Sequence, residues 1–265
     1  MRSRSPITAA VGDLQEGVRL SPLWWRLGLE QTYNRYRRTL LGPFWIAGAT
    51  VSTGLSLAFV FGSLLGGDWR QLLPHILGGV LCWSLVSGFV TEGANTFLGA
   101  SGMMQVQRLP LSFHAFLTSN KIVVNFLHQI LAFWAVLLAF QLFTLPHWSL
   151  VLAIPLVTLT GFLQVIPVAM VSARYRDIGF LISTLFGAMF LLTPVFWSRA
   201  QLPANKQWIV DYNPYAHLLE IMRQPFIGQP APLHNWYASI AVLAVSAVLC
   251  ILCLALFRKR VIFWL

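Results

Sequence analysis

Six stretches of this chain contain no Asp, Glu, Lys or Arg: Phe44–Leu65, Leu72–Thr91, Ile122–Trp148, Leu150–Ala173, Ile178–Ser198 and Trp236–Phe257. A helix needs about 20 apolar residues to cross the hydrocarbon core of a bilayer. Lipid offers no partner for open backbone groups, so a spanning chain must be helical or a closed barrel. The stretches predict an all-α polytopic membrane protein with six transmembrane helices. A soluble core could not hide this surface. The sequence is 57% hydrophobic and 10% charged, against about a quarter charged in soluble domains, and its mean hydropathy is +0.69.

An even number of spans puts both termini on one side, and the basic residues say which. Arg2, Arg4, Arg19, Arg26, Arg35, Arg37 and Arg38 precede the first span, and Arg258, Lys259 and Arg260 follow the last. Arg108 and Lys121 fall after the second span, and Arg174 and Arg176 after the fourth. Only Arg70, Arg199, Lys206 and Arg223 of the 18 basic residues fall on the other side. Positive charge stays cytoplasmic, so both termini are expected inside. The net charge of +10 is then an orientation signal, and no soluble basic face remains to bind nucleic acid. The long basic lead before residue 44 is not the pattern of a cleaved leader.

The expected organisation is a flexible cytoplasmic N-terminus over 1–20, an interfacial helix over 21–42, one six-span domain over 43–260 with an external gate segment at 198–235, and a cytoplasmic tail at 261–265. Trp25, Leu29, Tyr33, Tyr36 and Leu40 recur at helical steps and share one face, beside Arg26, Glu30 and Arg37. Aromatics at headgroup depth with arginines reaching phosphates describe a helix lying in the interface. The plainer alternative is a basic juxtamembrane linker. Gly42 and Pro43 then turn the chain into the first span.

Asn95–Gln107, before Arg108-Leu109-Pro110, forms either a short helix outside the bilayer or a plain loop. In the external segment Asn213 is placed as an N-cap and Pro214 at the first helical position. There Tyr215, Leu218, Leu219 and Met222 form an apolar face, with Glu220 and Arg223 turned elsewhere.

No catalytic group is expected. The chain has no Gly-Lys pair, so no phosphate-cradling G-x-x-x-x-G-K-[ST] loop. Its six histidines show no H-x-x-x-H, and no metal site is predicted. Cys250 and Cys253 form a C-x-x-C inside an apolar stretch, where small-residue packing is the expected role. No acidic residue lies mid-span, which weighs against ion-coupled transport. Phe186, Phe190 and Trp197 are expected on one face of the fifth span, and Trp45 and Phe59 within about 40° of each other on the first. Such faces either pack against lipid and neighbouring helices or line a path for sugar rings.

Four motifs carry a resemblance. They are Arg35-Tyr36 with Thr39, Leu41-Gly42-Pro43 and Trp45; Arg108-Leu109-Pro110; Arg174-Tyr175-Arg176-Asp177 leading to Leu192-Thr193-Pro194-Val195; and Asn213-Pro214 with His217. In this order, over roughly residues 21–260, they resemble the permease subunits of type-2 ABC exporters for polysaccharides such as O-antigen, capsule and teichoic acid. The resemblance implies a bacterial inner-membrane channel made of two copies of the chain. Two separate ATPase subunits would bind ATP and magnesium, with no cofactor on this chain. A lipid-linked glycan would be the cargo. It implies a coupling helix around Asn95, Gln105, Gln107 and Arg108, and an external gate helix around Asn213, Pro214, Tyr215 and His217. Gln105 and Gln107 stand where many relatives carry lysines, which leaves the charge complement of the ATPase surface open. Arg35, Arg37 and Arg38 either set topology or also meet the diphosphate of the cargo lipid. The alternatives are a permease for a drug or small lipid, a membrane-embedded transferase, for which only Asp177 with its arginines offers chemistry, and a membrane scaffold.

Overall fold

Every regular element found is helical. The computed structural model describes residues 5–40, 42, 44–64 and 68–265. The turn expected at Pro43, the arginines at Arg2 and Arg4, and Leu65 at the end of the first stretch lie outside the described residues. In chain order the helices are α1 (Pro6–Arg19), α2 (Ser21–Tyr36), α3 (Phe44–Leu64), α4 (Trp69–Thr91), α5 (Thr96–Gly99), α6 (Ser101–Val106), α7 (Leu111–Ala139), α8 (Leu150–Arg174), α9 (Asp177–Leu192), α10 (Trp208–Asp211), α11 (Pro214–Phe226) and α12 (Leu233–Phe257).

Among the described residues five helices are long and apolar enough to cross a membrane: α3, α4 with its continuation to Gly99, α7, α8 and α12. The fifth expected span differs. α9 has 16 residues, about 24 Å of helix, against a hydrocarbon core of about 30 Å. It stops at Leu192 rather than Ser198 because Pro194 forces Thr193 into extended backbone (ψ 139°). Trp197 therefore lies beyond the helix and shares no face with Phe186 and Phe190.

Three further boundaries depart from expectation. α7 begins at Leu111, so Lys121 sits inside it rather than in a loop. Pro110 is extended and opens the helix, and Asp13 of α1 accepts from its first donors, Leu111 N at 3.2 Å and Ser112 N at 3.0 Å. α2 ends at Tyr36 rather than near 42, where Arg37 turns extended and Arg38 takes a φ of 72°. Residues 6–19, expected to be irregular, form α1: Ser5 accepts from Thr8 N, Pro6 stands in the first turn, and Ala10, Asp13 and Gly17 are buried. The C-terminal tail is likewise folded, with Val261 buried and Trp264 packed on Phe257.

The two ends of the described chain lie at one end of the molecule. Arg258 at the foot of α12 donates to the Ala9 carbonyl at 2.8 Å and lies 3.8 Å from Asp13. The guanidinium of Arg174, which closes α8, sits over the Trp264 ring. α8 and α12 thus finish at the same end, and α9 carries the chain between them to the other.

The long helices are not equally enclosed. α4 is the axis of the core, whereas α3 and α12 are each only 17% buried over their most apolar window, and no residue of α9 is buried. Leu64, Phe180 and Val248 stand bare on these three helices. An outer surface this apolar matches lipid or another apolar protein face rather than water.

Candidate functional site

At the end that carries the termini, three elements enclose a cavity of about 510 Å³. The close seating of α2 on α7 is set by Gly28, where an added Cβ would overlap the Asn120 side chain. Asn120 donates from Nδ2 to the Trp25 carbonyl at 3.1 Å. With the register so held, Gln31 and Arg35, one turn apart, face the cavity. From α7 come His114, Leu117, Thr118 and Lys121, the i, i+3, i+4 and i+7 positions of one helical face. Glu92, Asn95, Thr96, Gly99, Ala100 and Met103 line the third wall.

The charged groups of this cavity face one another without direct pairing. Among the described residues Arg35, Glu92 and Lys121 enter no ion pair within 4.0 Å. His114 is 1% exposed, yet neither ring nitrogen has a hydrogen-bond partner. Thr96 and Thr118 hold each other through their hydroxyls at 3.2 Å. Among the described residues no three His, Cys, Asp or Glu side chains gather as ligands for a metal.

Of the three arginines singled out in the sequence, only Arg35 lines the cavity; Arg37 and Arg38 are exposed beyond the end of α2. Asn95 of the expected coupling helix lines it as well. That segment is a 3-10 turn (Gly93–Asn95) followed by α5 and α6, and Gln105, Gln107 and Arg108 are exposed where α6 ends.

The aromatics divide. Tyr215, Phe186, Trp83, Phe190, Phe196 and Phe61 form a continuous chain of ring contacts across α11, α9, α4, the turn after α9, and α3, with centroids 4.8–6.1 Å apart. Trp45 and Phe59 stay outside it, 55% and 63% exposed on the outer side of α3. Phe61 takes the place the sequence pattern assigned to Phe59. Trp197 instead donates from Nε1 to the Leu191 carbonyl at 3.0 Å, folding back over the end of α9.

At the opposite end the segment expected to lie outside forms α11 as its local sequence predicts. Asn213 accepts from Tyr215 N at 3.0 Å, Pro214 follows, and the Asn213 amide donates to Thr193 Oγ1 at 2.9 Å. His217 is buried and bonded on both ring nitrogens, to the Asn235 side chain at 2.7 Å and the Asp211 carbonyl at 3.0 Å. Arg223, expected away from the apolar face, is instead buried with it at 2% exposure. Its guanidinium pairs with Glu220 and donates to the Pro194 carbonyl at 2.6 Å. A small cavity of about 190 Å³ lies here, bounded by His75, Glu220, Arg223 and His234. Arg199 holds Asp211 through two bonds of 2.6 and 2.8 Å, which keep that carboxyl below the usual range.

Lys121, His114 and Glu92 are the cavity residues that sequence reasoning passed over. Cutting the chain at its charges ends a span at Lys121, whereas the helical period from His114 through Thr118 already aligns Lys121 with them.

The family model described as ABC-2 type transporter matches residues 22–227. No curated protein matches the sequence.

Proposed function

This chain belongs to the ABC-2 type transporter family as a multi-pass membrane component, and on that premise we propose that it forms the channel of an ATP-driven exporter for lipid-linked polysaccharide. Family membership implies a partner ATPase and a permease built from two copies. In our reading the partner binds ATP and magnesium on the cytoplasmic side of a bacterial inner membrane, at the end carrying the termini. It docks against Asn95, Gln105, Gln107 and Arg108. α9 makes a short sixth crossing, and the segment around Asn213, Pro214, Tyr215 and His217 gates the outer side.

The observation that carries the cargo class is the charged cavity beside α2. Trp25, Leu29 and Tyr33 are exposed on the outer side of that helix, which suits aromatic rings and apolar side chains at headgroup depth. Arg35 faces the cavity from the last turn, and Arg37 and Arg38 follow, exposed beyond the end of the helix. A charged headgroup on a lipid tail fits this junction of cation and apolar surface better than an uncharged drug does. The aromatic chain from Tyr215 to Phe61 offers sugar rings flat faces that do not fix register.

The test is co-purification of the full chain with its nucleotide-binding subunit and measurement of the ATPase rate with lipid-linked glycans. Stimulation by a diphosphate-linked glycolipid, together with rescue of glycan export in a deletion strain, is the expected result. Stimulation by small amphipathic drugs alone would assign the second reading, a drug or small-lipid permease. ATP hydrolysis by the chain alone would remove both.

A further inference from the structure

We infer that the cavity enclosed by α2, α7 and the Gly93–Met103 segment is a phosphate-binding site in which Lys121 and His114 act with Arg35, and that one wall of it is the segment that receives the ATPase. The lipid-borne source of the phosphate and the docking role of that wall rest on the reading above. The site itself rests on geometry.

Two cations and one carboxylate line the cavity, and none is in an ion pair with another described residue. With histidine neutral the lining carries one net positive charge. His114 is the more telling group. A buried imidazole with both nitrogens unbonded costs free energy, and His114 borders the cavity at 1% exposure with both nitrogens enclosed, so an anion meets it once the ring turns toward the cavity. A phosphate oxygen accepts a hydrogen bond from an imidazole N–H while lying against an ammonium and a guanidinium. The planar fork of Arg35 suits that oxyanion geometry, and Lys121 supplies a point charge. Thr118 and Asn95 add neutral donors. The volume of about 510 Å³ falls within the roughly 300–1,000 Å³ of ligand pockets.

The walls give the site its consequence. An anion between Arg35 and Lys121 bridges α2 to α7, and Asn95 at the third wall is its further donor. Its binding ties α2 to α7, and through Asn95 an occupied headgroup site also contacts the start of the coupling segment.

The experiment uses the full chain in phosphatidylcholine nanodiscs, titrated calorimetrically with inorganic pyrophosphate and, separately, with a polyprenyl diphosphate. Both probes should bind. Lys121→Gln and His114→Leu should each weaken binding about tenfold or more, the scale of one lost charge-assisted hydrogen bond. Arg26→Gln, on the same helix as Arg35 but away from the cavity, should change it less than threefold. Polyprenyl diphosphate binding at least tenfold tighter than pyrophosphate identifies a lipid headgroup as the source; equal affinities identify free phosphate. Absence of saturable binding by either probe overturns the site. So does unchanged affinity in a Lys121→Gln or His114→Leu protein that elutes as wild type on size exclusion. Pyrophosphate carries no glycan, so failure of the site and failure of the polysaccharide reading are separate results.

Discussion

Arg223 on α11 donates from Nη1 to the carbonyl of Pro194, 2.6 Å away and 29 residues earlier in the chain. The same guanidinium is paired with Glu220 and packs its stem over Gly78 of α4. One buried side chain thus ties α11 to the break that ends α9 and to the central helix. Arg223→Met should destabilise the protein by about 3–5 kcal/mol, because Glu220 and the Pro194 carbonyl are left without their partner. Adding Glu220→Gln should recover part of the loss. Denaturation of the two single variants and the double variant in detergent gives the coupling energy.

Where α4 meets that same break, Gly79 has no room for a side chain: an added Cβ would overlap the Val195 carbonyl, a backbone atom that cannot move aside. Gly79→Ala should cost about 1–3 kcal/mol through forced backbone shifts. Gly187→Ala on α9 meets open space and should be neutral or stabilise by about 0.5–1 kcal/mol through helix propensity. Thermal unfolding of the two variants side by side checks the contrast.

The first turn of α7 depends on a residue of another helix. Asp13 accepts from Leu111 N and Ser112 N, and Ser112 Oγ donates back to the Asp13 carbonyl at 2.7 Å. Asp13→Ala should cost about 0.5–2 kcal/mol, the range of a lost N-cap. The loss should concentrate in faster amide hydrogen exchange over α1 and the first turn of α7, with α11 unchanged.

The Arg199–Asp211 pair gives the segment between α9 and α11 a pH response. The Arg199 hydrogen bonds hold the Asp211 carboxyl below its ordinary value. A depressed carboxylate contributes its stability above the unfolded pKa of about 3.9 and loses it as pH falls through the folded value. Hydrogen exchange across 199–211 should therefore be flat from pH 7 to 5, once corrected for intrinsic rates, and rise below about pH 4. Arg199→Gln should remove that rise. The pair is exposed to solvent, so the effect is small and should shrink further in high salt.

Neutralising Arg35, Arg37 and Arg38 together should cut export while membrane insertion stays intact. The cavity geometry sharpens this expectation: Arg35→Gln alone should account for most of the loss, because Arg37 and Arg38 lie outside the cavity lining. Export rates per inserted protein, for the single and triple variants, decide it.

How far each element could be read from sequence follows the range of the force that makes it. α11 was legible because the Asn213-Pro214 cap acts within two residues. The stretches without charge predicted α3, α8 and α12 closely, because exclusion of charge from lipid is imposed on each segment separately. α1 was hidden because the face it buries, Ala10, Asp13 and Gly17, is small or polar and has meaning only against Ser112 and Arg258. Lys121 was hidden for a related reason: a lysine at the end of a span can carry its ammonium to the interface, so its charge does not mark where the helix begins.

The sequence by itself therefore determined the helical class and the apolar stretches that five long helices contain, because burying backbone and apolar side chains in lipid is settled residue by residue. The tertiary structure alone decided which charges meet. Arg35, Lys121 and His114 line one cavity without pairing, while Arg223 bonds the Pro194 carbonyl and Asp13 caps the start of α7, each across a long interval of chain. Such pairings depend on helix register and packing depth, which close approaches such as Gly28 on Asn120 and Gly79 on Val195 set, and no local pattern encodes them.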